Sequence, residues 1–67
     1  MENKVRLYRF HNNEMTQAKL AEAAGVSRQT IIAIEKGVFN PSVRLALKLA
    51  RILNKRVDEL FMLDSRD

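Results

Sequence analysis

Along the middle of the chain the apolar residues recur on a helical repeat, broken once. Leu20 and Ala24 fall on one face at the i, i+4 spacing with Ala21 beside them, and Ile31 and Ile34 resume the pattern beyond Gly25. This predicts two short helices, over 17–24 and 28–36. Thr16 stands where it can cap the first by accepting a hydrogen bond from a first-turn amide, and Gln17, Ala18, Lys19 and Leu20 are good helix formers. Gly25 sits where the chain must turn, a place for a left-handed residue without a Cβ penalty. Ser27 caps the second helix, flanked by Val26 and Ile31 in the hydrophobic-staple positions. Gly37 closes it. Ala21 is small enough to let a second helix cross closely, and the whole reads as a helix-turn-helix.

The rest of the pattern adds three helices. Residues 3–12 form the first, with Val5, Tyr8 and either Leu7 or Phe10 on its buried side, and Met15 plugs the base of the next helix. After Gly37 comes a loop in which Phe39 is expected to plug the core and Pro41 restrains the chain before Ser42, a good N-cap. Residues 43–53 carry Ala46, Leu49, Ala50 and Leu53 along an inner face, and Asn54 is a tolerable left-handed terminator. Residues 57–62 make a last short helix with Val57, Leu60 and Phe61 inward. Arg56 offers no acceptor for a cap, so a frayed start is expected there. The fold class predicted is an all-α, five-helix single domain over residues 1–67.

Composition narrows the picture. In 67 residues, 46% are hydrophobic, with three Phe, one Tyr and no Trp, so the core must be aliphatic and alanine-rich. There is no cysteine to form a disulfide or a thiolate metal site. No apolar run approaches the ~20 residues of a membrane span, and no apolar stretch follows the charged MENKVR start, so a cytoplasmic protein without a secretory signal is expected. No nucleophile–base–orienter set, metal cluster or glycine-rich phosphate loop can be assembled, so no enzyme, cofactor or small-molecule ligand is expected. The lone His11 reads as a surface residue. The net charge of +4 permits a nucleic-acid partner. Its distribution is more telling: Lys36, Arg44, Lys48, Arg51, Lys55 and Arg56 lie in a stretch without an acid, and Asp58, Glu59, Asp64 and Asp67 gather after it.

The outer face of the helix at 28–36 supplies candidate chemistry. Arg28, Ile32 and Lys36 share one sector with Gln29 and Ala33. Arginine reads guanine O6 and N7, glutamine reads adenine N6 and N7, and small apolar groups meet thymine methyls. A solvated helix face would account equally for Arg28 and Lys36, but poorly for Ile32.

The string TQAKLAEAAGVSRQTIIAIEKGVFNPSVRLALKLARIL, followed by VDELF, resembles the lambda-repressor/Cro-type (XRE-like) helix-turn-helix regulators, and more narrowly their minimal single-domain members. The resemblance runs from Val5 to Phe61. It implies a five-helix lambda-repressor-like domain, with the helix-turn-helix at helices 2 and 3, binding double-stranded operator DNA as a homodimer. On these positions it implies base contacts from Arg28, Gln29, Ile32 and Ala33. Backbone contacts would come from Gln17, Thr30, Lys36, Asn40, Ser42 and Arg44, where unpaired amides at a helix start suit phosphate. It also implies an ion pair between Arg9 and Glu35, the alternative being that Arg9 touches phosphate. The Asn12-Asn13-Glu14 connection is one residue longer than the family pattern, which leaves the register of the first helix open, and Lys55-Arg56 departs from it as well.

Leu60-Phe61-Met62-Leu63 is more apolar surface than so small a domain buries easily. Exposed apolar strips mark interfaces, and Phe61, Met62 and Leu63 are the expected dimer contacts; the alternative is a tail folded back over its own helices. The function expected is a sequence-specific DNA-binding transcriptional regulator, a repressor on a palindromic operator. The alternative is the antitoxin of a toxin–antitoxin pair, which uses the same domain. No membrane partner is expected.

Overall fold

A computed structural model describes residues 1–67. Five helices follow one another: α1 (Val5–His11), α2 (Gln17–Ala24), α3 (Arg28–Glu35), α4 (Val43–Ile52) and α5 (Val57–Leu60). Two short strands, β1 (Glu2–Asn3) and β2 (Phe61–Met62), flank them. The helix starts are made locally. Thr16, Ser27 and Ser42 each stand in extended conformation and accept, through the side-chain oxygen, the amide of Lys19 (3.1 Å), Thr30 (3.2 Å) and Leu45 (3.1 Å). Each such cap is worth about 1 kcal/mol.

The ends of α2, α3 and α4 share one device. At Gly25 (φ 73°) the amide of Gly25 donates to Glu22 and that of Val26 to Ala21, so two carbonyls of the last turn are satisfied as the chain reverses. Gly37 (φ 77°) repeats this with Ile34 and Ala33, and Asn54 (φ 56°) does so after α4 with Arg51 and Ala50.

α2 is central, packed against both α3 and α4. The core is Val5, Leu20, Ala21, Ala24, Ile31, Ile34, Leu49, Ala50, Leu53 and Leu60, all apolar and without a buried polar side chain. Tyr8, Met15, Val26, Leu45, Ile52 and Phe61 close its rim. Leu7 and Phe10 stay exposed. No helix is long and apolar enough to cross a membrane.

The five-helix architecture holds, with corrections at its edges. The first helix spans Val5–His11 rather than 3–12, because Glu2 and Asn3 are extended and the Asn3 side chain accepts the Val5 amide at 3.2 Å. Its longer exit is absorbed by Asn13 and Glu14, both left-handed. The third and fourth helices each stop one residue earlier than expected, at Glu35 and Ile52, because Lys36 and Leu53 already belong to the reversing turns. The fifth ends at Leu60 rather than 62. Phe61 (φ −125°, ψ 133°) turns extended, and β2 pairs antiparallel with β1, Glu2 facing Met62 and Asn3 facing Phe61.

Three side chains also differ. Phe39 is 48% exposed and plugs nothing, and Val57, at the first position of α5, is 38% exposed while Leu60 is fully buried. At the start of α5 Glu59 Oε1 accepts the Arg56 amide at 2.9 Å, the reciprocal half of a capping box, while the arginine side chain accepts nothing from the first turn.

Candidate nucleic-acid interface

α3 is presented by what lies beneath it. Ile31 and Ile34 are fully buried, which turns Arg28 and Gln29 on its first turn out to solvent, with Lys36 exposed at its end. Ile32 and Ala33 lie between these faces, half-buried. An open groove brings Arg28, Ile32 and Lys36 together with Thr16 and Gln17 at the start of α2, and with Arg6 of α1.

The far end of α3 is held by an ion-pair network. Arg9 Nε donates to Glu35 Oε2 at 2.8 Å and its Nη2 to Oε1 at 3.1 Å, a two-point arrangement, while its Nη1 donates to the Met15 carbonyl at 2.8 Å. Gln17 Nε2 adds a donor to Glu35 Oε1 at 3.1 Å. The pair is largely shielded, with side-chain exposures of 15% for Arg9 and 6% for Glu35. The longer α1–α2 connection therefore does not displace Arg9 from its partner. One network ties α1, α2 and α3 into a fixed angle.

The remaining sequence-predicted positions fall around this face. Gln17 stands at the groove with its amide nitrogen spent on Glu35. Thr30 is half-buried, its hydroxyl 3.0 Å from that of Ser27, so it belongs to the cap as much as to the surface. Asn40 is exposed in the α3–α4 loop, and Ser42 caps α4 with its oxygen while the first α4 amides lack intrahelical partners. Arg44 is exposed on the first turn of α4 and lines a shallow groove with Leu47, Lys48 and Arg51. Phe61 and Met62 are half-buried in β2, and Leu63 beyond them is 77% exposed.

Charge follows a clear division. The side-chain cations with a carboxylate within 4 Å are Arg9, Arg56 and Arg66. Arg6, Arg28, Lys36, Arg44, Lys48 and Arg51 have none. At the tail, Asp64 and Asp67 take the Met1 ammonium at 3.3 and 3.0 Å. The Arg66 amide holds the Asp64 carboxyl below its ordinary range, the Asp64 amide does the same for Asp67, and Asp67 raises the ammonium. Glu35 and the tail acids Asp64 and Asp67 are thus engaged, whereas Glu14 lines the α3 groove beside Arg6 and Arg28, and α4 carries cations without a carboxylate within 4 Å. Arg6 also reaches the groove, a place that depends on how α1 packs and has no local signal in the sequence.

A family profile described as helix-turn-helix matches residues 6–60, from the first turn of α1 to the end of α5. The chain belongs to the helix-turn-helix family of transcriptional regulators. It is 45% identical over its whole length to an uncharacterized HTH-type transcriptional regulator of Archaeoglobus fulgidus, covering 94% of that protein. It is 48% identical over 62 residues to one of Methanocaldococcus jannaschii, spanning 92% of each chain. Against the HTH-type regulator YgzD of Bacillus subtilis the identity is 40% over the full length of both. The helix-turn-helix proper is α2, the Gly25 turn and α3. Its second helix carries Arg28 and Gln29 outward, with Ile32 and Ala33 half-buried beside them.

Proposed function

We propose that this helix-turn-helix protein is a sequence-specific DNA-binding transcriptional regulator, acting in the cytoplasm as a homodimeric repressor on an inverted-repeat operator. The observation that carries the reading is the outward face of α3, where Arg28 and Gln29 stand exposed and unpaired on a helix locked by Arg9 and Glu35. In this reading α3 enters the major groove. Arg28 and Gln29 form hydrogen bonds to purine edges, and Ile32 and Ala33 meet thymine methyls. Phosphates are clasped by Gln17, Thr30, Lys36, Asn40, Ser42 and Arg44, which set register without reading sequence.

One recognition helix covers too few base pairs to choose a site in a genome. A two-fold pair places two such helices ~34 Å apart on one face of the duplex. Leu63, exposed beside the half-buried Phe61 and Met62, is apolar surface that such a partner would cover. Occupancy of the operator then represses by excluding polymerase.

Sedimentation equilibrium with titrations of a palindromic and a half-site duplex tests this. Wild-type protein should dimerise and prefer the palindrome, and Leu63→Glu should give folded monomers with much reduced operator affinity and the same half-site preference. Arg44→Ala or Lys36→Ala should weaken binding to all sequences and lower the salt slope by ~1. A wild-type protein that stays monomeric at tens of micromolar and binds the half-site as well as the palindrome would refute the dimer.

A further inference from the structure

Asn3 has no part in the interface described above, yet its side chain touches the recognition helix. Nδ2 donates to the Ile34 carbonyl at 2.8 Å, and Oδ1 accepts the Val5 amide at 3.2 Å. Ile34 lies in the last turn of α3, where carbonyls lack intrahelical donors. Its oxygen also accepts the Gly37 amide at 2.9 Å, so both lone pairs are used. The backbone of Asn3 is held in turn by the pairing of the two ends of the chain. Asn3 faces Phe61, Glu2 faces Met62, and the Lys4 amide donates to Leu60 at 2.8 Å. The alternation of an antiparallel ladder puts the next exchanged pair of bonds on Glu2 and Met62.

We propose that Asn3 is a positioning residue, which relays the β1–β2 pairing to the C-terminal turn of α3 and so sets the angle at which that helix is offered to DNA. The proposal rests on the DNA-reading role of α3 given above. Glu35 is held from one side by Arg9 and Gln17, and Ile34 from the other by Asn3. Eight residues of helix are ~12 Å long, so a 1 Å shift at one end tilts the axis by roughly 5°. Base-edge hydrogen bonds need donor and acceptor within a few tenths of an ångström. Flexible lysine and arginine contacts to phosphate tolerate such a tilt. Losing the tie therefore lowers discrimination between sequences rather than affinity for DNA at large, a signature that a purely stabilising role would not leave.

Asn3→Ser isolates the effect. A serine oxygen can still accept the Val5 amide, but it is too short to reach Ile34. Glu2→Pro removes a ladder donor from the other side of the relay. The full-length protein, both variants and the double variant are compared on the best duplex that wild type selects from random DNA and on a scrambled duplex. Amide exchange of Gly37 and Val38 is followed without DNA. In Asn3→Ser these amides should exchange about 2- to 10-fold faster, and the selected-over-scrambled ratio should fall by a similar factor, the reach of one hydrogen bond. Scrambled-site affinity should stay near wild type, while the melting temperature falls only by the few degrees that one hydrogen bond carries in a domain this small. Glu2→Pro should reproduce this, and the double variant should be no worse than Asn3→Ser, because both act through one tie. Wild-type exchange at Gly37 in Asn3→Ser, or fold-changes that multiply in the double variant, would overturn the relay. A wild-type protein that binds both duplexes alike would overturn the reading role beneath it, and the exchange data would separate that failure from the first.

Discussion

Replacing Glu35 with alanine should be the most damaging single change on the α3 face of the molecule. It removes the acceptor of Arg9 Nε (2.8 Å), of Arg9 Nη2 (3.1 Å) and of Gln17 Nε2 (3.1 Å), and leaves the guanidinium with the Met15 carbonyl alone. With Arg9 15% and Glu35 6% exposed, water does not replace these bonds. Deleting one partner of a buried pair costs about 3–5 kcal/mol, and the residual access to Arg9 places Glu35→Ala near the lower bound, about 3 kcal/mol. A chain of this length is stable by roughly 3–10 kcal/mol in all, so the loss is a large share. At ~4–8 °C per kcal/mol for a domain this small, the melting temperature should drop by about 12–24 °C. Thermal melts by circular dichroism of wild type, Arg9→Ala, Glu35→Ala and the double variant measure it. The double variant should be little worse than either single, giving a coupling of about 2 kcal/mol or more. If either single change cost under about 1 kcal/mol, the range of exposed pairs, or if the two simply added, the network would not be what fixes α3.

Two further predictions concern the turn and the tail. A Cβ at Gly25 would meet nothing within 4 Å, so the cost of Gly25→Ala is conformational alone, about 1–2 kcal/mol for an L-residue held at φ 73°, and Gly25→Asn should cost less; equal melting temperatures for all three proteins would refute this. Asp64 and Asp67 titrate below their ordinary range, so their contribution is present at neutral pH and lost as pH falls through the lowered folded values, whereas the raised Met1 ammonium contributes below the ordinary amine range and is lost as pH rises through its folded value. NMR titration of the Asp64 and Asp67 carboxyl carbons should therefore give midpoints below the ordinary aspartate range, and midpoints at the ordinary value would exclude the carboxylate clasp.

How far the fold was legible depends on how local its signals are. The bounds of α2 fall where Thr16 and Gly25 mark them, and α3 starts at its Ser27 cap, because caps and left-handed stops act within a few residues. Long-range pairing has no such signal. Glu2–Asn3 and Phe61–Met62 are two-residue strands at opposite ends of the chain, too short to show an alternating pattern, and the apolar Phe61 and Met62 read as more helix. Hydrophobicity alone points Phe39 and Val57 inward, but the exposure of a loop residue and of a first helical residue is set by the path of the chain around them. At Arg56 the side chain lacks an acceptor for the first turn, yet Glu59 three residues on takes the Arg56 amide, a contact visible only when both ends of a capping box are considered. In the interface, the Arg9–Glu35 pair was reached by resemblance to a family, since 26 residues separate the partners and no periodicity joins them. Arg6 and Asn3 gained their places only through tertiary packing.

The central claim is that the exposed turn of α3 reads bases, and selection from a random-sequence DNA pool tests it most directly. Wild-type protein should enrich an inverted repeat. Arg28→Ala and Gln29→Ala should each cost ~1–3 kcal/mol on that site and relax preference at one or two base pairs in each half-site. If wild type enriches no motif, or both variants return the wild-type motif unchanged, α3 is not the reading helix.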